Sequence, residues 1–332
     1  MSRNPARAAA LSLFALMGLA GGRAEALVGG VVDTNVPTSP WAGVVSIVPA
    51  GGGIYSGVLL DPWHVLTAAH VVYGTRDSPG NVAVNLNFAG TLSSVITASR
   101  IAIHPSYTTG NTASDKQFAW NDDLAVITLS RAVPAGVPTY PLFAGIPGRN
   151  GASRDITLVG YGGYANGTTS TVTVASHAGV KRVGRNRVDD LLPDDEGSGV
   201  AELFLFDLDG LDAATNLMGG PTLGENIEAG YAGGDSGSPA FVFDQGVWKV
   251  AGIAAFNGKA DNGTGSALQF GAIGGGMLVA PYADWIRAQL APSASVLTVV
   301  VQPVPEPQTW GMLLAGLGLV GLATARRRAT VR

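Results

Sequence analysis

The chain has 332 residues, 46% of them apolar and 13% charged, with a formal net charge of −4, 47 glycines, 19 prolines and no cysteine. Such a length holds one large domain or two small ones. The charge balance excludes a nucleic-acid binder, which needs a basic face, and the lack of cysteine excludes a disulfide framework and any thiolate metal centre.

The first segment carries Arg3 and Arg7, then an apolar run over residues 8–20, then the small-x-small site Ala24-Glu25-Ala26. This is the layout of a secretory signal peptide over residues 1–26; a run of about 13 apolar residues is too short to span a bilayer. From Leu27 the pattern is β. The runs "WAGVVSIV", "YSGVLL", "HVLTAAHVV", "NVAVNLNF", "LAVITL", "DITLVGYG" and "STVTVAS" are short, rich in Val, Ile, Leu and Thr, and bounded by Gly, Pro, Asn or Asp. Strands at this spacing imply an all-β sandwich or barrel. Near the end, "APYADWIRAQLA" sets Tyr282, Trp285, Ile286 and Leu290 on one face and predicts a helix over residues 280–291. Residues 27–291 form the folded domain and 292–303 a linker. Residues 304–332 hold a Pro-Glu-Pro, an apolar run over 309–325 and Arg326-Arg327-Arg328. That is a short transmembrane or sorting helix whose arginines stay cytoplasmic, giving membrane contact that is transient if the segment is removed; whether the mature chain is anchored or released stays open.

Between Lys181 and Asp212 a basic cluster (Lys181, Arg182, Arg185, Arg187) precedes an acidic one (Asp189, Asp190, Asp194, Asp195, Glu196) and then "FDLDGLD". Alternating acids with a glycine suggest calcium, but the later glutamate of an EF-hand is missing. A solvated, charged surface loop is the preferred reading, and calcium binding by Asp207, Asp209 and Asp212 stays open.

The segment with the most chemistry is "GYAGGDSGSPAF", residues 230–241, where Ser236 sits in a glycine-rich turn behind Asp235. A serine hydroxyl is a poor nucleophile until a base takes its proton and donors hold the oxyanion. The G-x-S-x-G elbow of an α/β-hydrolase esterase does not fit, because Ser238 stands where its second glycine belongs. Of four histidines, His70 ends "HVLTAAH", where small alanines leave room for the ring; His64, His104 and His177 lie in no motif that needs a base and read as structural or surface residues. Asp123 stands directly before the apolar run "LAVITL" and can be buried and aimed; Asp122 points the other way in an extended chain and is the weaker candidate.

Together "LTAAH" around His70, "DLAVITL" after Asp123 and "GDSGSP" around Ser236 resemble the chymotrypsin (trypsin-like) family of serine proteases, in that family's order His, Asp, Ser. "HPSY", "VGYG", "VAGIAAF" and "YADWI" are softer matches, and the resemblance covers roughly residues 27–290. It implies two six-stranded antiparallel β-barrels and a C-terminal helix, with His70 and Asp123 on the first barrel and Ser236 on the second. It further implies a serine endopeptidase in which Ser236 attacks, His70 moves the proton, Asp123 orients His70, and the N–H groups of Gly234 and Ser236 form the oxyanion hole. No metal and no cofactor is required. The family's new α-amino terminus would be Leu27, paired with Asp235, so that cleavage after Ala26 activates the enzyme directly.

The substrate pocket would involve Gly230, Ala255, Phe256, Asn257 and Gly274. Gly230 stands where trypsins carry an aspartate, which argues for an apolar or small P1 residue; Asn257 would narrow the pocket and Gly274-Gly275-Gly276 would leave its far wall open. The Val304-Pro305-Glu306-Pro307 stretch with its helix and arginines resembles the PEP-CTERM sorting signal of Gram-negative bacteria. The partners implied are a protein or peptide substrate, signal peptidase and an exosortase-type enzyme, and the location is the cell envelope, cell surface or medium. The alternatives are a catalytically inactive protease-fold binding module and a structural matrix protein, the latter leaving the three matched residues without a role.

Overall fold

The computed structural model describes residues 27–108, 121–173, 175–224, 227–259 and 266–290. The leader, the linker and the C-terminal sorting helix expected from the sequence lie outside the described residues. Among the described residues no helix is long and apolar enough to cross a membrane.

Six strands, Val44–Pro49, Tyr55–Asp61, His64–Thr67, Val82–Leu86, Ser94–Ile103 and Ala125–Leu129, close into an antiparallel barrel. The first strand pairs with the second and the fourth, and the sixth bridges the third and the fifth. β-branched side chains suit a pleated surface buried on both sides. Val45, Ile47, Val58, Val65, Val84 and Val126 are fully buried in one core that continues into the second half through Val159, Tyr161 and Phe241.

The second half departs from the expected closed barrel. Eight strands line up in the order Asp190–Pro193, Ala201–Asp207, Ala272–Leu278, Val247–Lys259, Pro239–Asp244, Asp155–Gly160, Arg182–Arg187 and Val31–Val32, and this ladder is not closed. The strands at residues 182–187 and 190–193 are consecutive in sequence yet unpaired with each other. At the corner between them, Val188 N–H donates to Arg154 O and Asp189 N–H to Leu205 O, each at 2.9 Å. The chain changes partner within one residue, so these two strands are linked by covalent continuity and not by a backbone ladder.

Three further expectations change. The charged segment at 181–212 is not a surface loop: it forms the strands Arg182–Arg187, Asp190–Pro193 and Ala201–Asp207, and it buries Lys181, Arg182, Glu202, Asp207 and Asp209. Lys181 survives burial because its Nζ lies 3.1 Å from Asp33; burial pulls its pKa down and the Asp33 charge opposes that. "STVTVAS" holds no strand among its described residues, and Val172 there is exposed. The C-terminal helix runs Ala283–Leu290 and packs Ile286 into the core. It starts later than predicted, because Tyr282 is spent accepting the first helical bond, from Ile286 N–H.

The halves are keyed together by polar contacts as well as apolar ones. Buried Tyr161 donates its hydroxyl to Val44 O and accepts from Asn87, while its N–H donates to Ser56 Oγ. Trp41 from the first half packs at a tilt against Phe241 and Trp248 of the second, at centroid distances of 5.1 and 4.7 Å.

Candidate active site

The buried strand His64–Thr67 ends at Ala68, whose backbone is still extended, and the chain then turns into the short helix Ala69–Val72. Thr67 pairs with Ala125 across the ladder. Running both antiparallel strands past that pair brings residue 70 towards residue 123. The result is a two-point contact: His70 Nδ1 lies 2.6 Å from Asp123 Oδ2, and the His70 backbone N–H donates to Asp123 Oδ1 at 2.8 Å. Asp123 is completely buried and the His70 side chain is 23% exposed. Both carboxylate oxygens are therefore satisfied, which a buried charge requires. The contact to Asp123 thus engages Nδ1, one of the two ring nitrogens.

Asp122 is separated from this pair by a turn and not by strand alternation. Its φ is +57°, in the left-handed region, and its carbonyl accepts from Leu124 N–H. Asp122 Oδ1 lies 2.9 Å from Nδ1 of His104, whose ring meets Tyr282 and Trp285 edge-on. His64 is held by Asp61 at 2.8 Å, and His177 Nδ1 accepts from Gly179 N–H at 3.0 Å. These three histidines have structural work, as their sequence context implies.

Ser236 sits in a loop of the second half that is fastened to the first. Its carbonyl accepts from Ser56 N–H at 2.9 Å, and Ser56 Oγ donates to Gly234 O at 3.2 Å. Gly237, at φ +80°, lies so close to Thr67 Oγ1 and Ser56 O that a Cβ would collide with both. Thr67 is three residues before His70, so the loop rests on the element that carries the histidine. Within the loop Asp235, Gly237 and Ser238 spend their N–H groups on Ala232, Ala254 and Asp235 carbonyls. The N–H groups of Gly234 and Ser236 make no backbone hydrogen bond among the described residues. Ser56 and Thr67 were not singled out by sequence; a polar residue in an otherwise apolar strand is the only signal they give.

Asp235 is buried beneath this loop. Its carboxylate accepts from Gly162 and Ala232 N–H groups, each at 2.9 Å. Burial nonetheless pushes its pKa up to about 7, with those two hydrogen bonds and the charge of Arg182 pulling the other way. A side chain at residue 160 or 162 would run into this carboxylate, which explains the glycines of "VGYG". Leu27 is buried, and its two-residue strand pairs in parallel with Tyr164–Ala165, two residues beyond Gly162. Val28 exchanges two hydrogen bonds with Gly230, at 2.9 and 2.8 Å. The segment 160–165 thus holds Asp235 at one end and the Leu27 strand at the other.

Around the pocket positions, Gly230 adjoins an apolar cluster of Val28, Ala165, Leu208 and Ala232. Ala255 is buried in a bulge between Ala254 and Phe256. The Asn257 amide donates to Tyr231 O at 2.9 Å, bracing the segment that leads to the serine loop. The wall at Gly274 and Gly275, expected to be open, has the rings of Phe206 and Phe256 against it.

A family model for trypsin matches residues 28–196. The chain belongs to the trypsin family. The span matched in this trypsin-family protein contains His70 and Asp123 and ends before Ser236. It is similar to the complement C1s subcomponent of Sus scrofa, with 30% identity over 120 residues, which is 36% of this chain and 16% of that protein. Residues 303–328 match the PEP-CTERM protein-sorting motif, a signal for export to the envelope or surface of Gram-negative bacteria.

Proposed function

We propose that the protein is an exported serine endopeptidase in which Ser236, His70 and Asp123 form the catalytic triad. The observation that carries this reading is the two-point contact between His70 and Asp123, because it fixes one imidazole tautomer at the edge of the loop that bears Ser236. In the reaction Ser236 Oγ bonds to the peptide carbonyl carbon while its proton passes to His70 Nε2. Asp123 stabilises the imidazolium, and the N–H groups of Gly234 and Ser236 take the negative charge that develops on the carbonyl oxygen. His70 then protonates the leaving amine, and water repeats the sequence on the acyl-enzyme. Removing one oxyanion donor in such sites costs about 10²–10³ in rate.

Activation follows from the same arrangement. Leu27 holds φ at +49°, which costs a leucine about 1–2 kcal/mol while Ala26 remains attached. Cutting after Ala26 abolishes the torsion and yields an ammonium for the buried carboxylate of Asp235. Specificity follows from Gly230 and its apolar neighbours, which favour an apolar or small P1 side chain. The test is labelling with a fluorophosphonate and cleavage of a peptide library by the mature domain, beside Ser236→Ala. The reading requires covalent labelling at Ser236 and a loss on the order of 10⁶ in kcat in the variant; an unlabelled, folded protein would overturn it.

A further inference from the structure

The loop after Ala201–Asp207 gathers four acids, Asp189, Asp207, Asp209 and Glu228, and three of them are committed to backbone donors. Asp207 Oδ2 accepts from Leu217 and Met218 N–H groups at 2.5 and 2.8 Å. Glu228 accepts from Asp209 N–H with one oxygen, and from Leu223 N–H and Thr222 Oγ1 with the other. Asp189 accepts from Asp207 N–H at 3.2 Å. The arginines of the adjacent strand do not neutralise these acids: Arg185 and Arg187 turn to Asp155.

Two buried oxygens stand apart, Asp209 Oδ1 and Asn216 Oδ1, neither making a hydrogen bond of ordinary geometry among the described residues, although the Thr222 hydroxyl lies close enough to the Asp209 carboxylate to pull its pKa down against the effect of burial. Asp209 is only 4% exposed, and a buried oxygen of this kind is costly unless something positive meets it. The orientation of Asn216 is fixed, because its Nδ2 donates to Gly220 O at 2.8 Å and so commits Oδ1 to the other side. Both residues line one cavity of about 450 Å³, with Asp212 and Thr222 also on its wall. All of these donors are oxygens, the chemistry of a hard cation.

We propose that this cavity is a calcium site, in which Asp209 Oδ1 and Asn216 Oδ1 ligate the ion while Asp189, Asp207 and Glu228 supply the surrounding negative charge. Backbone carbonyls and water complete the seven or so ligands that calcium takes, and the smaller magnesium ion, which demands strict octahedral geometry, fits less well. With one ligating carboxylate the site belongs in the affinity class of extracellular modules, Kd about 10⁻⁴–10⁻³ M, a range suited to an exported protein. Glu228 is followed directly by Ala229, Gly230 and Tyr231, so the ion also orders the approach to the serine loop. The site stands independently of the proposed catalytic function.

The test is thermal unfolding of the full chain, first in chelator and then with calcium or magnesium chloride. Calcium at about 10 mM should raise the midpoint by on the order of 5 °C, and magnesium by less. Asp209→Asn should melt in chelator no lower than the native chain, since it removes a buried uncompensated charge, and should lose the calcium shift. Asn216→Ala should lose most of that shift. Calcium-independent melting of the native chain overturns the proposal. So does a full shift in both variants, which would assign the ion to the other acidic group, Asp122, Asp195 and Glu196. Should Asp209→Asn not fold, an undiminished shift in Asn216→Ala overturns it alone.

Discussion

Asp123 commits both carboxylate oxygens to one residue, His70, receiving its backbone N–H through Oδ1 and facing its ring Nδ1 through Oδ2. The adjacent acid, Asp122, faces a different histidine, His104, at 2.9 Å. Two neighbouring aspartates thus have separable roles, and substitution should separate them. Asp123→Asn should reduce kcat by about 10⁴, because an amide permits the wrong imidazole tautomer. Asp122→Asn should leave kcat within a few-fold and lower stability by about 1 kcal/mol or more through the lost partner of His104. Burst kinetics on an ester substrate and urea unfolding of both variants check this; equal losses of kcat would contradict the assignment.

On the proposed pairing of the Leu27 amine with Asp235, the length of the N-terminus is critical. One extra glycine before Leu27 should carry the amine past Asp235 and reduce kcat on the order of 10²-fold or more, since small displacements of catalytic groups have that effect. The fold should be nearly unchanged, because Val28, Gly29 and their bonds to Gly230 and Ala165 remain. Activity and melting midpoint of the two chains, measured side by side, decide it.

Asp235 also sets a pH dependence. Its folded pKa, about 7, lies above the ordinary carboxylate value because of burial. The folded state therefore holds a proton that the unfolded state releases. The stability this provides is complete below about pH 4 and is lost as pH rises through about 7. Burial raises the pKa of Asp189, Asp209 and Glu202 as well, so they act in the same direction. The contribution of Asp235 is the difference between the native chain and Asp235→Asn. In a chain that retains Ala26, urea unfolding from pH 4 to pH 8 should show a steeper fall for the native residue. In the mature chain the Leu27 ammonium should flatten that difference. Parallel curves in the precursor would refute the shift.

Gly237→Ala should be costly twice over, since φ is +80° there and the new Cβ would meet Thr67 Oγ1 and Ser56 O. The strain and the overpacking each cost on the order of 1–3 kcal/mol. The Ser236 loop should shift with the substitution, so kcat falls as stability falls. Gly246→Ala, also at positive φ but with open space around it, is the control: it should lose stability only.

Much of the first barrel was legible in sequence, because its strands are Val- and Ile-rich runs with turn residues at both ends. In the second half "DITLVGYG" was legible as the strand Asp155–Gly160, but most of its partners were not. The strand Arg182–Arg187 reads as a charged loop, yet it pairs with Asp155–Gly160 along its whole length and buries alternate residues. The strand Ala272–Leu278 has three consecutive glycines, which lack intrinsic strand preference; they are there because the rings of Phe206 and Phe256 and the carbonyls of Phe204 and Ile253 press against them. "STVTVAS" shows the opposite error: it has strand composition, but its described residues form no strand and only Thr173 N–H reaches a neighbouring strand, at Tyr164 O.

The sequence by itself determined the β class and the sorting motif, and it singled out the three residues proposed as the triad, because these depend on local composition and on short motifs. Which aspartate faces which histidine, where the second ladder ends, and that Asp209 and Asn216 line one cavity were decided only by the tertiary structure. Each of those depends on strand register and burial between segments far apart in the chain, and no local pattern of residues encodes a distance across a sheet.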